Sequence, residues 1–163
     1  MMAKPLTILW PLHGSLSKAP VRFVLLLSFY ATASLLITDW LIRSLGFFRP
    51  TRCDPASTGG IVVAFFIGPL IETVVQALLF ESVLRWTRRE SVALVAASVL
   101  MASTHSVLEW SWGLVVLTAF VLYSYAYKYL RQQSITNALT ATFVVHALAN
   151  ILVSIWGELV TCS

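Results

Sequence analysis

The sequence predicts an all-α protein, a polytopic membrane helix bundle of about five transmembrane helices. Of its 163 residues, 58% are hydrophobic and only 11% are charged. A soluble domain of this length could not bury so much apolar surface. The apolar residues also fall into five runs of membrane-spanning length, with short polar segments between them. We therefore expect one domain embedded in a lipid bilayer.

The first two predicted spans cover residues 21–45 and 60–84. The loop between them contains Pro50 and Pro55, whose fixed backbone angles and missing N–H donors end helices. The second run would reach roughly 37 Å as a helix, which places Glu72 near the midplane of the bilayer. Gly68 and Pro69, one turn before Glu72, are expected to kink this helix and free backbone groups.

The third predicted span, residues 91–108, is rich in small side chains that let neighbouring helices approach closely. A link over residues 109–113 carries two tryptophans suited to a membrane interface and leads to a fourth span, residues 114–130. A fifth span covers residues 138–156. Four tyrosines near the end of the fourth span are expected to form an interfacial belt: Tyr123, Tyr125, Tyr127 and Tyr129.

These spans divide the chain into four parts. Residues 1–20 form an N-terminal cytoplasmic segment, and residues 21–58 hold the first transmembrane helix with its loop. Residues 59–157 form a four-helix core, and residues 158–163 form a C-terminal tail. Because the core carries most of the polar residues found within spans, any functional site is expected there.

The basic residues are distributed unevenly between the two predicted sides of the membrane. Only three lie on one side, Arg43, Arg49 and Arg52. The positive-inside rule therefore predicts a cytoplasmic N-terminus and an external C-terminus, in a bacterial inner membrane. The opposite, cytoplasmic side carries the other basic residues: Lys4, Lys18, Arg22, Arg85, Arg88, Arg89, Lys128 and Arg131.

Two function classes are disfavoured by the pattern of charges and cysteines. The basic residues form short clusters between apolar runs, which is typical of topology determinants, so no nucleic-acid partner is expected. Cys53 and Cys162 have neither CxxC spacing nor nearby histidines, so they predict no metal knuckle or redox motif. Both cysteines fall on the predicted external side, where a disulfide and two separate thiols remain alternatives.

Strongly polar side chains are few inside the core spans, and their spacing is informative. Glu72 and Gln76 are four residues apart, as are His146 and Asn150, so each pair projects from one face of its helix. His105 adds an imidazole from a third helix. Ionisable groups within spans usually face the bundle interior and mark a functional site. We expect these residues to converge.

Such a group of side chains suits the hydrolysis of a carbonyl compound. Glu72 would take a proton from water, while His146 and Asn150 would donate hydrogen bonds to the oxyanion that forms. A single intramembrane His or Asn often serves only as an interhelical hydrogen-bonding group, but their joint occurrence on three helices favours a catalytic site. Glu81 and Glu109 lie near the ends of apolar runs and are weaker candidates.

The order of a Glu helix, a His helix, an intervening helix and a helix with His-x-x-x-Asn resembles the CPBP family of intramembrane proteases. This family includes CAAX-processing endopeptidases and bacteriocin-processing or abortive-infection proteins. Pro69-x-x-Glu72, the MASTH segment ending at His105, and the segment from His146 to Asn150 carry the resemblance over residues 60–156. It implies that Glu72 is the general base, that His105 helps to hold the water, and that His146 and Asn150 form the oxyanion hole.

The first family motif is altered in this chain. The usual pattern has two glutamates and then an arginine four residues after the second, whereas here Thr73 follows Glu72 and Ala77 takes the place of the arginine. Gln76 is the nearest polar substitute and makes an ExxxQ variant. We expect the side chains of Thr73 and Gln76 to stabilise the position of Glu72 without contacting the substrate themselves.

Three functions remain open from the sequence. The first is an intramembrane endopeptidase without a cofactor, acting on a peptide or membrane-protein substrate within the lipid bilayer. The second is a catalytically inactive CPBP-like protein with a binding or immunity role. The third is a metal-binding protease or a transporter, because Glu72, His105 and His146 also match a zinc ligand set.

Overall fold

The computed structural model describes residues 20–47, 58–107 and 110–161. All regular structure in this part of the chain is helical, as predicted. The helices are α1 (Pro20–Ser44), α2 (Thr58–Val62), a π-helical segment (Val63–Ile67), α3 (Gly68–Thr87), α4 (Glu90–Ser106), α5 (Trp110–Arg131) and α6 (Ile135–Thr161). Nine residues named above lie outside the described residues: Lys4, Lys18, Arg49, Pro50, Arg52, Cys53, Pro55, Glu109 and Cys162.

Within the described residues, four helical stretches are long and apolar enough to cross a membrane, whereas five were expected. They are Val21–Ser44, Gly60–Thr87, Trp110–Arg131 and Ile135–Trp156. The remaining long helix, α4, corresponds to the third predicted span. It has 17 residues and ends at Ser106, two residues earlier than predicted. It therefore spans only about 25 Å, less than the hydrocarbon thickness of a typical bilayer.

The disturbance predicted at Gly68 and Pro69 takes the form of the π-helical segment directly before them. The N–H of Gly68 donates to the carbonyl oxygen of Val63, five residues earlier. Because α2, this segment and α3 follow one another without a break, they form one long rod. Glu72 lies in the first half of α3, just after the irregular backbone.

The rod divides its side chains between the bundle and the bilayer. Five residues of α3 at helical spacing are buried, and Gln76 and Phe80 are among them. On the opposite face Leu70, Val74 and Leu78 are exposed. Large exposed apolar side chains occur on every long helix, which fits a protein whose outer surface contacts lipid.

The helices α4 and α5 pack against each other more extensively than any other pair. Small residues allow this approach, as predicted for the third span: Ala93 and Ala97 of α4 are fully buried. Gly113 of α5 lies against the last turns of α4, where an added Cβ would contact Ser106 Oγ and lie 2.6 Å from the Ala102 carbonyl oxygen. The predicted non-helical link over residues 109–113 is thus wrong for its last four residues, because α5 already begins at Trp110.

Charged residues link the second half of α3, the start of α4 and the end of α5. Arg131 binds both carboxylate oxygens of Glu81, at 2.6 and 3.0 Å, and the hydroxyl of Tyr127 donates to Glu81 at 3.1 Å. Lys128 lies 3.2 Å from Glu90 at the start of α4. Glu81 therefore has a structural role in the bundle and lies outside the site described below.

The prediction of a tyrosine belt is wrong for two of its four members. Tyr123 and Tyr127 are only 1% and 3% exposed, because residues four apart share the inward face of α5. Tyr125 and Tyr129 are partly exposed and stack on each other with ring centroids 6.3 Å apart. The inward pair contributes to the core and to the site.

Replacing Gly113 with Ala is expected to destabilise the bundle by about 1–3 kcal/mol, since the new methyl group would overlap a backbone carbonyl that cannot rotate away. Thermal unfolding in detergent measures this change. Ser103→Ala, an exposed change on α4, serves as the control. An unchanged unfolding temperature for Gly113→Ala would show that the two helices do not approach this closely.

Candidate active site

A cavity of about 100 Å³ lies in the interior of the bundle. Residues from α1, α3, α4, α5 and α6 contribute to its wall, and Leu35 is the contribution of α1. Four of the predicted site residues line it together: Glu72, His105, His146 and Asn150. The convergence expected from their spacing is therefore present in the structure, in a chamber otherwise walled mainly by apolar and aromatic side chains.

Glu72 lies between the two imidazoles. Its Oε1 atom is 3.7 Å from His105 Nε2, and its Oε2 atom is 3.4 Å from His146 Nε2. The side chain of Glu72 is 29% exposed, which leaves it accessible from the cavity. Both distances exceed that of a short direct hydrogen bond, so each imidazole can instead share a water molecule with the carboxylate.

The tautomer of His105 follows from its second nitrogen. His105 Nδ1 lies 3.0 Å from the carbonyl oxygen of Met101, an atom that can only accept a hydrogen bond. Nδ1 must therefore carry the proton. In the neutral imidazole Nε2 then presents its lone pair towards Glu72 and the cavity, where it can accept a hydrogen bond from water.

His146 has the opposite arrangement. It is 4% exposed, its ring stacks on Tyr123 at 4.3 Å between centroids, and the Phe120 ring meets it edge-on. Its Nδ1 is buried without a hydrogen-bond partner among the described residues. A proton on Nδ1 would be a buried donor without an acceptor, so the neutral ring is best satisfied with its proton on Nε2, facing Glu72.

Asn150 lines the cavity, but its amide is engaged elsewhere. Asn150 Nδ2 donates to the backbone carbonyl oxygen of Ala64, in the π-helical segment, at 3.1 Å. The structure thus brings Asn150 to the predicted place beside His146, one turn further along α6. It gives the amide a backbone partner that the sequence analysis did not anticipate.

Gln76 lies one turn behind Glu72 and forms the centre of a buried polar network. Its Nε2 donates to the Phe120 carbonyl oxygen at 2.8 Å and to Ser124 Oγ at 2.7 Å. Ser98 Oγ lies 3.1 Å from the same carbonyl and 3.0 Å from Ser124 Oγ. This network joins α3, α4 and α5 directly beneath the cavity, and it fixes the backbone of the residue whose ring contacts both imidazoles.

Thr73 makes fewer side-chain hydrogen bonds than Gln76 among the described residues. It is 2% exposed, and its hydroxyl has no hydrogen-bond partner within the described ranges. Its side chain is absent from the residues that line the cavity.

Three residues of the site were missed by the sequence analysis. Phe120 contacts the rings of His105 and His146, and Tyr123 stacks on His146. The spacing of Phe120 and Tyr123 on one face of α5 was available as a signal, but aromatic residues in a span are also typical of lipid contact. Trp112 lines the cavity although it was assigned to an interfacial link.

In the described part of the chain, no group of three His, Cys, Asp or Glu side chains has a geometry that could hold a metal ion.

The fold and the site together define a class of protein. The chain is a multi-pass integral membrane protein whose interior cavity holds a carboxylate between two imidazoles.

A comparison with family models then identifies the family. Residues 55–152 match the model described as type II CAAX prenyl endopeptidase Rce1-like. The match covers more than half of the 163 residues, so the chain belongs to this family of proteases and the resemblance is confirmed. Comparisons with curated proteins and with solved structures each found no match.

Exchanging Gln76 for Glu should destabilise the protein by about 3 kcal/mol or more, because a buried carboxylate cannot donate to the Phe120 carbonyl and lies one turn from Glu72. The apolar Gln76→Met change should cost only about 1–2 kcal/mol, since Ser98 still reaches that carbonyl. Thermal unfolding of both variants tests the ranking. Gln132→Met, in an exposed turn, is the matched control, and equal losses for Glu and Met would contradict the network.

Proposed function

We propose that the protein is an intramembrane endopeptidase that hydrolyses a peptide bond with water activated by Glu72. The observation that carries this proposal is the position of Glu72, whose two oxygens face His105 and His146 across a small apolar cavity. Membership of a protease family supports the reaction class.

The two imidazoles take different parts in the proposed reaction. A water molecule in the cavity donates one hydrogen to Glu72 and the other to His105 Nε2. These two hydrogen bonds hold the lone pairs of the water oxygen towards the substrate carbonyl. As the water oxygen bonds to the carbonyl carbon, its proton passes to Glu72 and the carbonyl electron pair moves to oxygen. His146, with its proton on Nε2, donates to that oxyanion, and Asn150 is the second candidate donor.

The intermediate then collapses with cleavage of the C–N bond. The leaving nitrogen takes the proton that Glu72 received, so that a carboxylic acid and an amine are formed and Glu72 returns to its starting state. No cofactor takes part in these steps. The apolar cavity keeps other water away and strengthens the hydrogen bonds to the developing charge.

Substrates and topology belong to the same proposal. The substrate is a peptide or a membrane protein that reaches the cavity from the bilayer. With the shorter α4 also crossing the membrane, the N-terminus faces the cytoplasm and the C-terminus lies outside, as the distribution of basic residues predicts. The membrane in this proposal is a bacterial inner membrane.

Two other functions make different use of the same residues. In an inactive binding or immunity protein, Glu72 would stabilise the bundle without turning over a substrate. In a metal-dependent protease or transporter, Glu72, His105 and His146 would act as zinc ligands. The Glu72→Gln assay separates the proposed reaction from the inactive protein, and the zinc measurement that accompanies it separates the proposed reaction from the metal-dependent alternative.

Replacing Glu72 with Gln should lower kcat by about 10²–10⁴-fold, because the amide cannot accept the proton of the attacking water. The assay uses purified protein and fluorogenic peptides with a lipid anchor, among them a prenylated peptide with a C-terminal CAAX sequence. Glu90→Gln, which removes a carboxylate far from the cavity, should retain activity. Undiminished cleavage by Glu72→Gln would contradict the role of the carboxylate.

A metal measurement accompanies this assay. The proposed reaction predicts that protein washed with chelator keeps its activity and contains less than one zinc per chain by elemental analysis. Loss of activity that added zinc restores would favour the metal-dependent alternative.

A further inference from the structure

The backbone at the π-helical segment leaves the carbonyl of Ala64 without a helical N–H partner. In this segment the Gly68 N–H donates to Val63, five residues earlier. The next residue is Pro69, which has no N–H to donate in the same register to the carbonyl of Ala64. An unpaired carbonyl within a membrane span is costly, so a donor from elsewhere is expected.

The donor is Asn150. Its Nδ2 atom lies 3.1 Å from the Ala64 carbonyl oxygen. The assignment of nitrogen to this position follows from chemistry, because a carbonyl oxygen accepts and only the amide NH₂ of Asn can donate to it.

This bond lies on the same interface, between α6 and the rod that carries Glu72, as the contact between Glu72 and His146. Asn150 is one turn after His146 on α6, and Ala64 is two turns before Glu72 on the antiparallel rod. Two contacts along one interface fix the register of α6 against the rod. A shift of α6 that broke the Asn150–Ala64 bond would also change the 3.4 Å separation between Glu72 and His146.

We propose that Asn150 is a positioning residue that caps the carbonyl released by Pro69 and so holds His146 in register with Glu72. Its effect on catalysis rests on the proposed function, whereas the cap itself does not. This role differs from donation to the oxyanion, and it predicts that a proline and an asparagine on two different helices depend on each other.

A double-mutant cycle tests the dependence. Pro69→Ala supplies the missing N–H and removes the need for a cap. With Pro69 in place, Asn150→Ala should lower kcat/KM roughly three- to tenfold and should lower the unfolding temperature, while Asn137→Ala, an exposed change on α6, should alter neither. In the Pro69→Ala background, the loss caused by Asn150→Ala should shrink to less than about twofold.

The two roles of Asn150 give different results in this cycle. If Asn150 acts only on the oxyanion, kcat falls by the same factor in both backgrounds and the unfolding temperature is unchanged, which would overturn the proposal. The unfolding temperature requires no substrate, so coupling in stability without any peptidase activity would support the cap and contradict the proposed function. If Pro69→Ala does not fold, an unchanged unfolding temperature for Asn150→Ala alone overturns the cap.

A second, independent feature lies at the junction of α3 and α4. Arg85, Arg88 and Arg89 are exposed and form no ion pair with any described residue. The carboxylates nearest to them in the chain, Glu81 and Glu90, are engaged by Arg131 and Lys128 in the cluster described above. Three guanidinium groups at the end of a membrane span therefore have no anionic partner among the residues that the structure describes.

Two details indicate that this surface meets the lipid headgroups. Trp86, between the arginines, is 88% exposed, which suits an indole at a membrane interface. Arg88 ends α3 in the left-handed conformation, with φ of 55° and ψ of 21°, where glycine would be less strained. The helix end alone therefore gives no reason for an arginine at this position.

We infer that Arg85, Arg88 and Arg89 bind the headgroup of an anionic phospholipid, with Trp86 seated at the interface beside it. The complementary charge identifies the ligand, and the location at a span end identifies a membrane lipid as its source. This surface lies at the end of the bundle where the ion-pair cluster joins α3, α4 and α5, so a bound lipid would stabilise that end.

Thermal unfolding in detergent with added lipid tests this surface. Phosphatidylglycerol should raise the unfolding temperature, and phosphatidylcholine should not, because a ligand that binds only the folded state stabilises it. Arg88→Gly should reduce the phosphatidylglycerol effect without lowering the unfolding temperature in phosphatidylcholine, since glycine accepts the backbone conformation. The triple change Arg85→Gln, Arg88→Gly and Arg89→Gln should abolish the effect, and Arg22→Gln should leave it intact.

Two results would overturn the lipid site. One is an equal stabilisation of the wild type and the triple variant by phosphatidylglycerol. The other is an equal stabilisation of the wild type by inorganic phosphate at the same concentration, which would identify a site for a soluble anion.

Discussion

The placement of one carboxylate between two imidazoles is the interaction on which the rest of the structure depends. A carboxylate inside an apolar bundle is unfavourable unless neighbouring groups compensate it, and here His146 of α6 turns its Nε2–H towards Glu72 while His105 of α4 can hold a water molecule beside it. The rings are themselves held by different means. His105 is oriented by a backbone carbonyl of its own helix, while His146 is packed between aromatic rings of α5. These unequal surroundings give the two imidazoles opposite tautomers and therefore opposite hydrogen-bonding capacity towards the cavity.

The backbone around the site is less regular than in the rest of the bundle. The π-helical segment and Pro69 disturb the rod one to two turns before Glu72, and Asn150 reaches the Ala64 carbonyl that this disturbance exposes. On the other side of the site, Gly113 lets α5 approach the last turns of α4, which carry His105. Irregular backbone within a membrane is tolerated where protein side chains satisfy it, and in this chain the side chain that does so belongs to the site.

Much of the fold and the site could be predicted from the sequence because both depend on local spacing. The length of the apolar runs indicates the helices, and residues four apart share a face, which placed Glu72 with Gln76 and His146 with Asn150. The features that the sequence analysis missed depend on packing between helices. Whether Tyr123 faces lipid or the interior, and whether Asn150 faces the cavity or the Ala64 carbonyl, is decided by neighbours distant in the chain. The close contact between Gly113 and the last turns of α4 is a further case.

The most direct test of the central claim follows the oxygen atom of water. Purified protein cleaves a lipid-anchored peptide in water enriched in ¹⁸O, and mass spectrometry of the fragments locates the label. Attack by a water molecule held at Glu72 predicts one ¹⁸O atom in the new carboxylate of every product molecule formed in a single turnover. Fragments that form at the same rate without the label, or no cleavage of any anchored peptide, would contradict a hydrolytic site.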